Sequence, residues 1–176
     1  MPTEARPGEP RLTPVLREVE AHVADSGWDQ PARLFALVPT EELLAREPRL
    51  VGVVAGDDAA GLTPVEQEEL PEFATLEELL AGLAWPPGVV GAALVVERLV
   101  VPPDVEDDLP DDEAAALDLL AGHPGREDVR LAVAVHRDGS RASAIRLRSR
   151  DDAAAVLTGT DLVPRLADAL AATLEP

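Results

Sequence analysis

The chain has 176 residues, 34 acidic and 15 basic side chains, and a formal net charge of −19. Its apolar fraction of 46% is enough for a packed core, while the charge repels phosphate backbones and anionic lipid and so argues against nucleic acid or membrane as a partner. Cysteine is absent, which excludes disulfides and thiol chemistry.

Lysine, asparagine and tyrosine are also absent, all fifteen bases are arginine, and the one isoleucine is Ile145. GC-rich codon usage accounts for this profile; adaptation to high salt is the alternative. The core has to be aliphatic, since there are only two Trp and two Phe. The first residues carry no basic stretch followed by an apolar one, and no apolar run reaches the ~18 residues of a spanning helix. The expectation is a soluble, cytoplasmic protein.

Residues 1–10 hold three prolines, two glutamates and a glycine, and read as a disordered tail ahead of a single domain over 11–176. Thr13-Pro14 then offers a capping hydroxyl and a first-turn proline. Leu12, Val15, Leu16, Val19 and Val23 form one helical stripe, stopped at Gly27. With Gly27 left-handed, Trp28 would fall where a Schellman stop packs a side chain back on the last turn, at Val23. Trp28 thus reads as a clasp between helix and strand, with a ligand platform as the alternative.

The run Leu34 to Val38 is apolar without alternation, as in a strand buried on both faces. Thr40 caps a short helix from Glu41 to Arg46, which Pro48 stops; Leu50 to Val54 is a weaker strand candidate. Thr63-Pro64-Val65-Glu66 and Thr75-Leu76-Glu77-Glu78 both match the capping box and predict helices. Val89 to Val101 is β-branched and apolar, a central strand bent at Gly91. An acidic loop over 104–113 follows, then a helix from Glu113 to Ala121 capped by Asp111 or Asp112. The last helix runs from Thr160 or Val163 to Leu174.

Between them lies a hairpin, Val129 to Ser149. A three-residue loop, Arg137-Asp138-Gly139, pairs Leu131 with Ile145 and Val129 with Leu147, keeps the faces separate, and puts glycine where positive φ is required. That register sets Arg130 opposite Arg146, and two like charges so placed require an acid nearby. The element order predicts an α+β fold: one layered domain with a mostly antiparallel sheet of about four to five strands, packed with helices.

Chemistry-bearing motifs are sparse. His22, His123 and His136 have no metal-ligand spacing, the four serines lack a nucleophile elbow, and no phosphate-binding glycine loop is present. No catalytic residue, metal site or cofactor is assigned. The asymmetry of charge is more informative. Residues 104–118 carry eight acids and no base, whereas 126–150 carry seven arginines. The arginines are either neutralised within the chain or form a docking surface for an acidic segment, an anion or a partner subunit, centred on Arg130, Arg141, Arg146 and Arg148.

The segments GWDQPARLFALVPTEELL (27–44), LTPVEQEEL (62–70) and LTGTDLVPRLADALAATL (157–174) together resemble an uncharacterised family of small acidic actinobacterial proteins. The resemblance extends over nearly the whole chain after the tail. It implies a cytoplasmic origin in a high-GC organism, and brings no activity or catalytic residues with it. The expected function is therefore that of a non-enzymatic binding, adaptor or chaperone-like protein with a protein partner. The alternatives are a structural homodimer, or an enzyme whose site assembles only in three dimensions, with Glu66, Glu68, Glu69 and the arginine hairpin as its only candidates.

Overall fold

The structure is a computed structural model; it describes residues 12–50, 61–101, 110–122 and 124–175. Among these, six strands form one antiparallel sheet in the order β2-β1-β3-β4-β5-β6. The strands are β1 (Arg33–Pro39), β2 (Leu62–Glu66), β3 (Gly91–Val100), β4 (Glu127–His136), β5 (Arg141–Leu147) and β6 (Leu157–Gly159). The helices are α1 (Thr13–Ala24), α2 (Thr40–Arg46), α3 (Leu76–Ala81), α4 (Glu113–Gly122) and α5 (Pro164–Ala172). The α+β class holds, with six strands rather than four to five.

Alternation along the strands divides the core between two faces. Phe35, Leu37, Ala93, Val95, Ala132, Ala134, Ala142 and Ala144 face α1, which contributes Leu12, Val15, Leu16, Val19 and Val23. Five of those eight sheet residues are alanine, so the helix can approach the sheet closely. Leu34, Ala92, Leu94, Val96, Val133 and Val135 face the other way, toward Ala167, Leu170 and Leu174 at the C-terminal end and Leu80 of α3. Trp85 joins that second core and donates its indole N–H to the Thr173 hydroxyl at 2.9 Å.

The two extra strands are the edges. β2 stands where the Thr63-Pro64-Val65-Glu66 capping box predicts a helix. Its ladder bonds to β1 come from alternate residues: Thr40 N–H donates to the Gly61 carbonyl and Gln67 N–H to that of Leu34, so the backbone polar groups of Leu62, Pro64 and Glu66 face away from β1. Proline is tolerated there because its missing N–H faces away from the sheet, and it guards the edge against further pairing. β6 is only three residues long and pairs Leu157 with Ile145 and Gly159 with Ser143. It lies just ahead of the expected start of the last helix, and that helix begins at Pro164. Thr75 does cap α3, accepting from Glu78 N–H at 3.1 Å, and Asp112 caps α4 through Ala115 N–H. Thr13 and Thr40 sit inside their helices rather than at the cap, and the Thr40 hydroxyl bonds Thr63 at 2.8 Å. The expected tail, the acidic residues 104–109 and all of the weak strand candidate after Leu50 lie outside the described residues.

The hairpin has the expected register, Leu131 with Ile145 and Arg130 with Arg146, and Gly139 has φ +91°. Its loop is held by Arg137, whose backbone N–H donates to the Val90 carbonyl and whose side chain donates to those of Val89 and Leu174.

Crowding requires glycine at Gly91, the first residue of β3. A Cβ there would lie 2.5 Å from the Val135 carbonyl oxygen and 3.2 Å from Leu37 Cδ1. Gly91→Ala should therefore destabilise the fold by about 1–3 kcal/mol. A thermal midpoint equal to the parent's would show that the strands can part there without loss.

Candidate functional site: a buried arginine–carboxylate network

On the α1 face, the row below the alanines is charged. Glu97 of β3, Arg130 of β4 and Arg146 of β5 stand side by side on three adjacent strands. Glu20 descends onto this row from α1, four residues beyond Leu16 and three before Val23, and is only 4% exposed. Its carboxylate takes both Nε (2.5 Å) and Nη2 (2.9 Å) of Arg146, the bidentate geometry in which a guanidinium pairs best. The third arm of Arg146, Nη1, donates to Asp151 at 3.0 Å. The acid required beside the opposed arginines is thus supplied by α1, β3 and the turn after β5.

The segment after α1 closes over the row. The helix ends in two tight turns, Ser26 N–H to the Val23 carbonyl and Gly27 N–H to that of Ala24, before Gly27 (φ +84°) reverses the chain. Asp29 and Gln30 then point their backbone N–H groups at Glu97, at 2.8 and 2.7 Å. Asp29 holds φ +66°, a left-handed conformation that Asp tolerates better than most residues. Its carboxylate bridges both Nη atoms of Arg148, at 3.0 and 3.1 Å. The Trp28 ring lies over Arg130, with 4.3 Å from guanidinium carbon to ring centroid, and its indole N–H donates to Asp151 at 3.1 Å. Trp28 is a clasp, but the groups it grips are Arg130 on β4 and Asp151 beyond β5.

Arg130 is 1% exposed. Its Nη2 donates to the Gly27 carbonyl and lies 3.9 Å from Glu97, while Nε and Nη1 have no hydrogen-bond partner. Burial accordingly pulls its basicity down, against the attraction of Glu97 and Glu20. Hydrogen bonding to Glu20 pushes Arg146 up, and hydrogen bonding to Asp29 does the same for Arg148. Asp151 is held below the usual carboxylate range, first by the Trp28 N–H and then by Arg146, and Asp29 by Arg148.

The four arginines of the expected docking surface therefore separate. Arg130 and Arg146 are interior. Arg148 and Arg141 keep 43% and 25% of their side chains exposed, and Arg141 ties β5 to Asp161 and to Asp168 of α5, at 3.1 and 2.9 Å. Of the candidate acids, Glu66 is paired with Arg33 at 2.5 Å, and Glu68 and Glu69 are exposed after β2. His22 contacts Arg33 through Nε2 at 3.3 Å and meets Phe35 edge-on. His136 Nδ1 accepts from Asp138 N–H, and His123 lies outside the described residues. Among the described residues no three acids or histidines cluster as metal ligands, and no helix is long and apolar enough to cross a membrane.

Sequence reasoning does not single out Glu20, Glu97 or Asp151. Glu20 and Glu97 do leave a signal: each is a carboxylate in phase with a buried pattern, the α1 stripe and the Ala93–Val95 alternation. Asp151, in a turn, leaves none.

Acid should weaken the network. Asp29, Asp151, Glu66 and Glu127 all titrate below their ordinary values in the folded chain, the last through hydrogen bonds from Ser149. A carboxylate depressed by folding adds stability that is complete above its unfolded pKa, about 4, and is lost as pH falls through the lower folded value. Thermal unfolding should thus be insensitive to these groups near neutrality and decline below about pH 4. A melting temperature as high at pH 2.5 as at pH 7 would contradict this.

The molecule is an α+β protein: one antiparallel sheet with helices on both faces, and an arginine–carboxylate lock between sheet and α1. The chain belongs to the PPA1309-like protein family, whose model matches residues 12–175. Comparison with curated proteins and with solved structures gives no match.

Proposed function

We propose that this chain is a non-enzymatic, acidic cytosolic binding or adaptor protein, with a protein as its partner. The observation that supports this reading is the inward use of a charge cluster among the described residues. Glu20, Glu97, Arg130, Arg146 and Asp151 bind one another and the turn 26–30. Arg130 and Arg146 lie at 1% and 4% exposure, where a substrate does not reach them. A lock of this kind fixes α1 on the sheet and makes a rigid body whose remaining surface is strongly negative. Arg141 and Arg148 are the members of the arginine group that a partner can still touch.

The test is affinity capture from native lysate with the tagged chain, followed by sedimentation of the recovered complex. A stoichiometric protein that survives washing and dissociates as salt is raised is the expected result. Recovery of no stoichiometric partner over several growth conditions would sink the reading.

A further inference from the structure

The turn over Arg130 is joined to the sheet by hydrogen bonds and charge. Arg130 donates to the Gly27 carbonyl, Trp28 to Asp151, and the Asp29 and Gln30 backbone to Glu97, while the Asp29 carboxylate bridges Arg148. The outermost contact is open to solvent: Asp29 and Arg148 keep 77% and 43% of their side chains exposed. Trp28 rests on Arg130 and joins neither apolar core among the described residues. Lifting Trp28 and Asp29 therefore uncovers no core side chain. It also strands no charge: Arg146 keeps Glu20, Arg148 keeps Asp128 at 3.9 Å, and Glu97 keeps the Gln30 N–H and Arg130. Two effects favour lifting. Nε and Nη1 of Arg130 gain water, and Asp29 leaves its left-handed φ of +66°. Pivots stand on either side: Gly27 at φ +84°, and Gln30, whose side chain stays tied to the Val23 carbonyl and to Arg33.

We propose that Trp28 and Asp29 form a salt-sensitive strap, which opens in the otherwise folded protein and bares Arg130. Screening decides the trigger. Counterions reach the Asp29–Arg148 bridge, whereas Glu20 and Arg146 are each 5% exposed and are screened far less. Rising ionic strength thus frees the strap while α1 stays fixed to the sheet. The opening is local because few contacts cross it and none of them is apolar core. The inference goes beyond the binding-protein reading and does not depend on it. Access to Arg130 becomes conditional on ionic strength, and a failed search for a partner leaves that standing.

Native-state hydrogen exchange at fixed pH is the test. The Asp29 amide and the Trp28 indole N–H are the probes, and the amides of β4 report global unfolding. Relative to intrinsic rates, both probes should exchange about a hundredfold or more faster than the best-protected β4 amides, and low urea should not change them, because little surface is exposed. Raising sodium chloride from about 0.05 M to about 1 M should speed both probes about twofold to fivefold, the worth of one exposed ion pair, and should not speed β4. Asp29→Asn keeps a residue that tolerates the left-handed backbone; it should be as open at low salt and lose the response. Phenylglyoxal, which labels accessible arginine, should modify Arg130 before Arg146 at high salt. Probes that follow β4 in rate and urea slope would show that the turn opens only with the whole fold, and would overturn the proposal. So would a salt response that survives in Asp29→Asn, or Arg130 labelled no sooner than Arg146.

Discussion

Glu20→Ala should destabilise the protein by about 3–5 kcal/mol, the range for removing one member of a buried ion pair. The carboxylate accepts two of the three hydrogen bonds of Arg146, and both side chains are only 5% exposed. Without it, Arg146 keeps Asp151 alone and faces Arg130 across the strand pair with less negative charge between them. The loss should appear as a lower urea midpoint at unchanged slope. It measures the charge left stranded and not the worth of the pair, because two buried ions have already given up their hydration. The double variant Glu20→Leu, Arg146→Met removes both charges and should recover most of the loss. A Glu20→Ala midpoint within about 1 kcal/mol of the parent, the scale of an exposed pair, would show that the lock is superficial.

The hairpin is legible in the sequence because a period of two and an Asp-Gly loop agree on one register, and a slip of one residue would pair Leu131 with Arg146 and mix the faces. The same register, by itself, puts Arg130 beside Arg146. Their partners are not legible: Glu20 is 126 residues from Arg146 in sequence, and no local rule joins a helix to a strand over that distance. The edge strands escape for opposite reasons. Thr63-Pro64-Val65-Glu66 carries a strong helix signal that tertiary pairing overrides, and Pro64 fits the strand because its nitrogen faces away from β1 on the sheet edge. Leu157 to Gly159 is too short to show any period. The capping box at Thr75 has the same form as the one at Thr63 and does open a helix. What separates the two is the neighbouring strand, β1, which the motif does not see.

Trp28→Ala should lower stability by about 3 kcal/mol, toward the low end for a large aromatic because the ring is only half-buried. Three effects combine. Apolar contact is lost, the cation–π contact at 4.3 Å to Arg130 disappears, and Asp151 loses its indole donor. One effect runs the other way: opening the cover lets water reach Nε and Nη1 of Arg130, which have no partner beneath the ring. Trp28→Phe separates the contributions. It keeps an aromatic face over Arg130 and removes the N–H together with part of the ring's contact, so about 1–2 kcal/mol should go. Because that N–H is the first cause of Asp151's lowered pKa, the Asp151 carboxyl resonance in Trp28→Phe should titrate closer to its ordinary value, with Arg146 still holding it partly down. The pH at which Asp151's contribution to stability is lost then rises, since a smaller depression leaves less to be gained above it. An Asp151 titration unchanged in Trp28→Phe would mean that the indole covers Arg130 without anchoring the turn after β5, and the clasp would reduce to a lid over one buried cation.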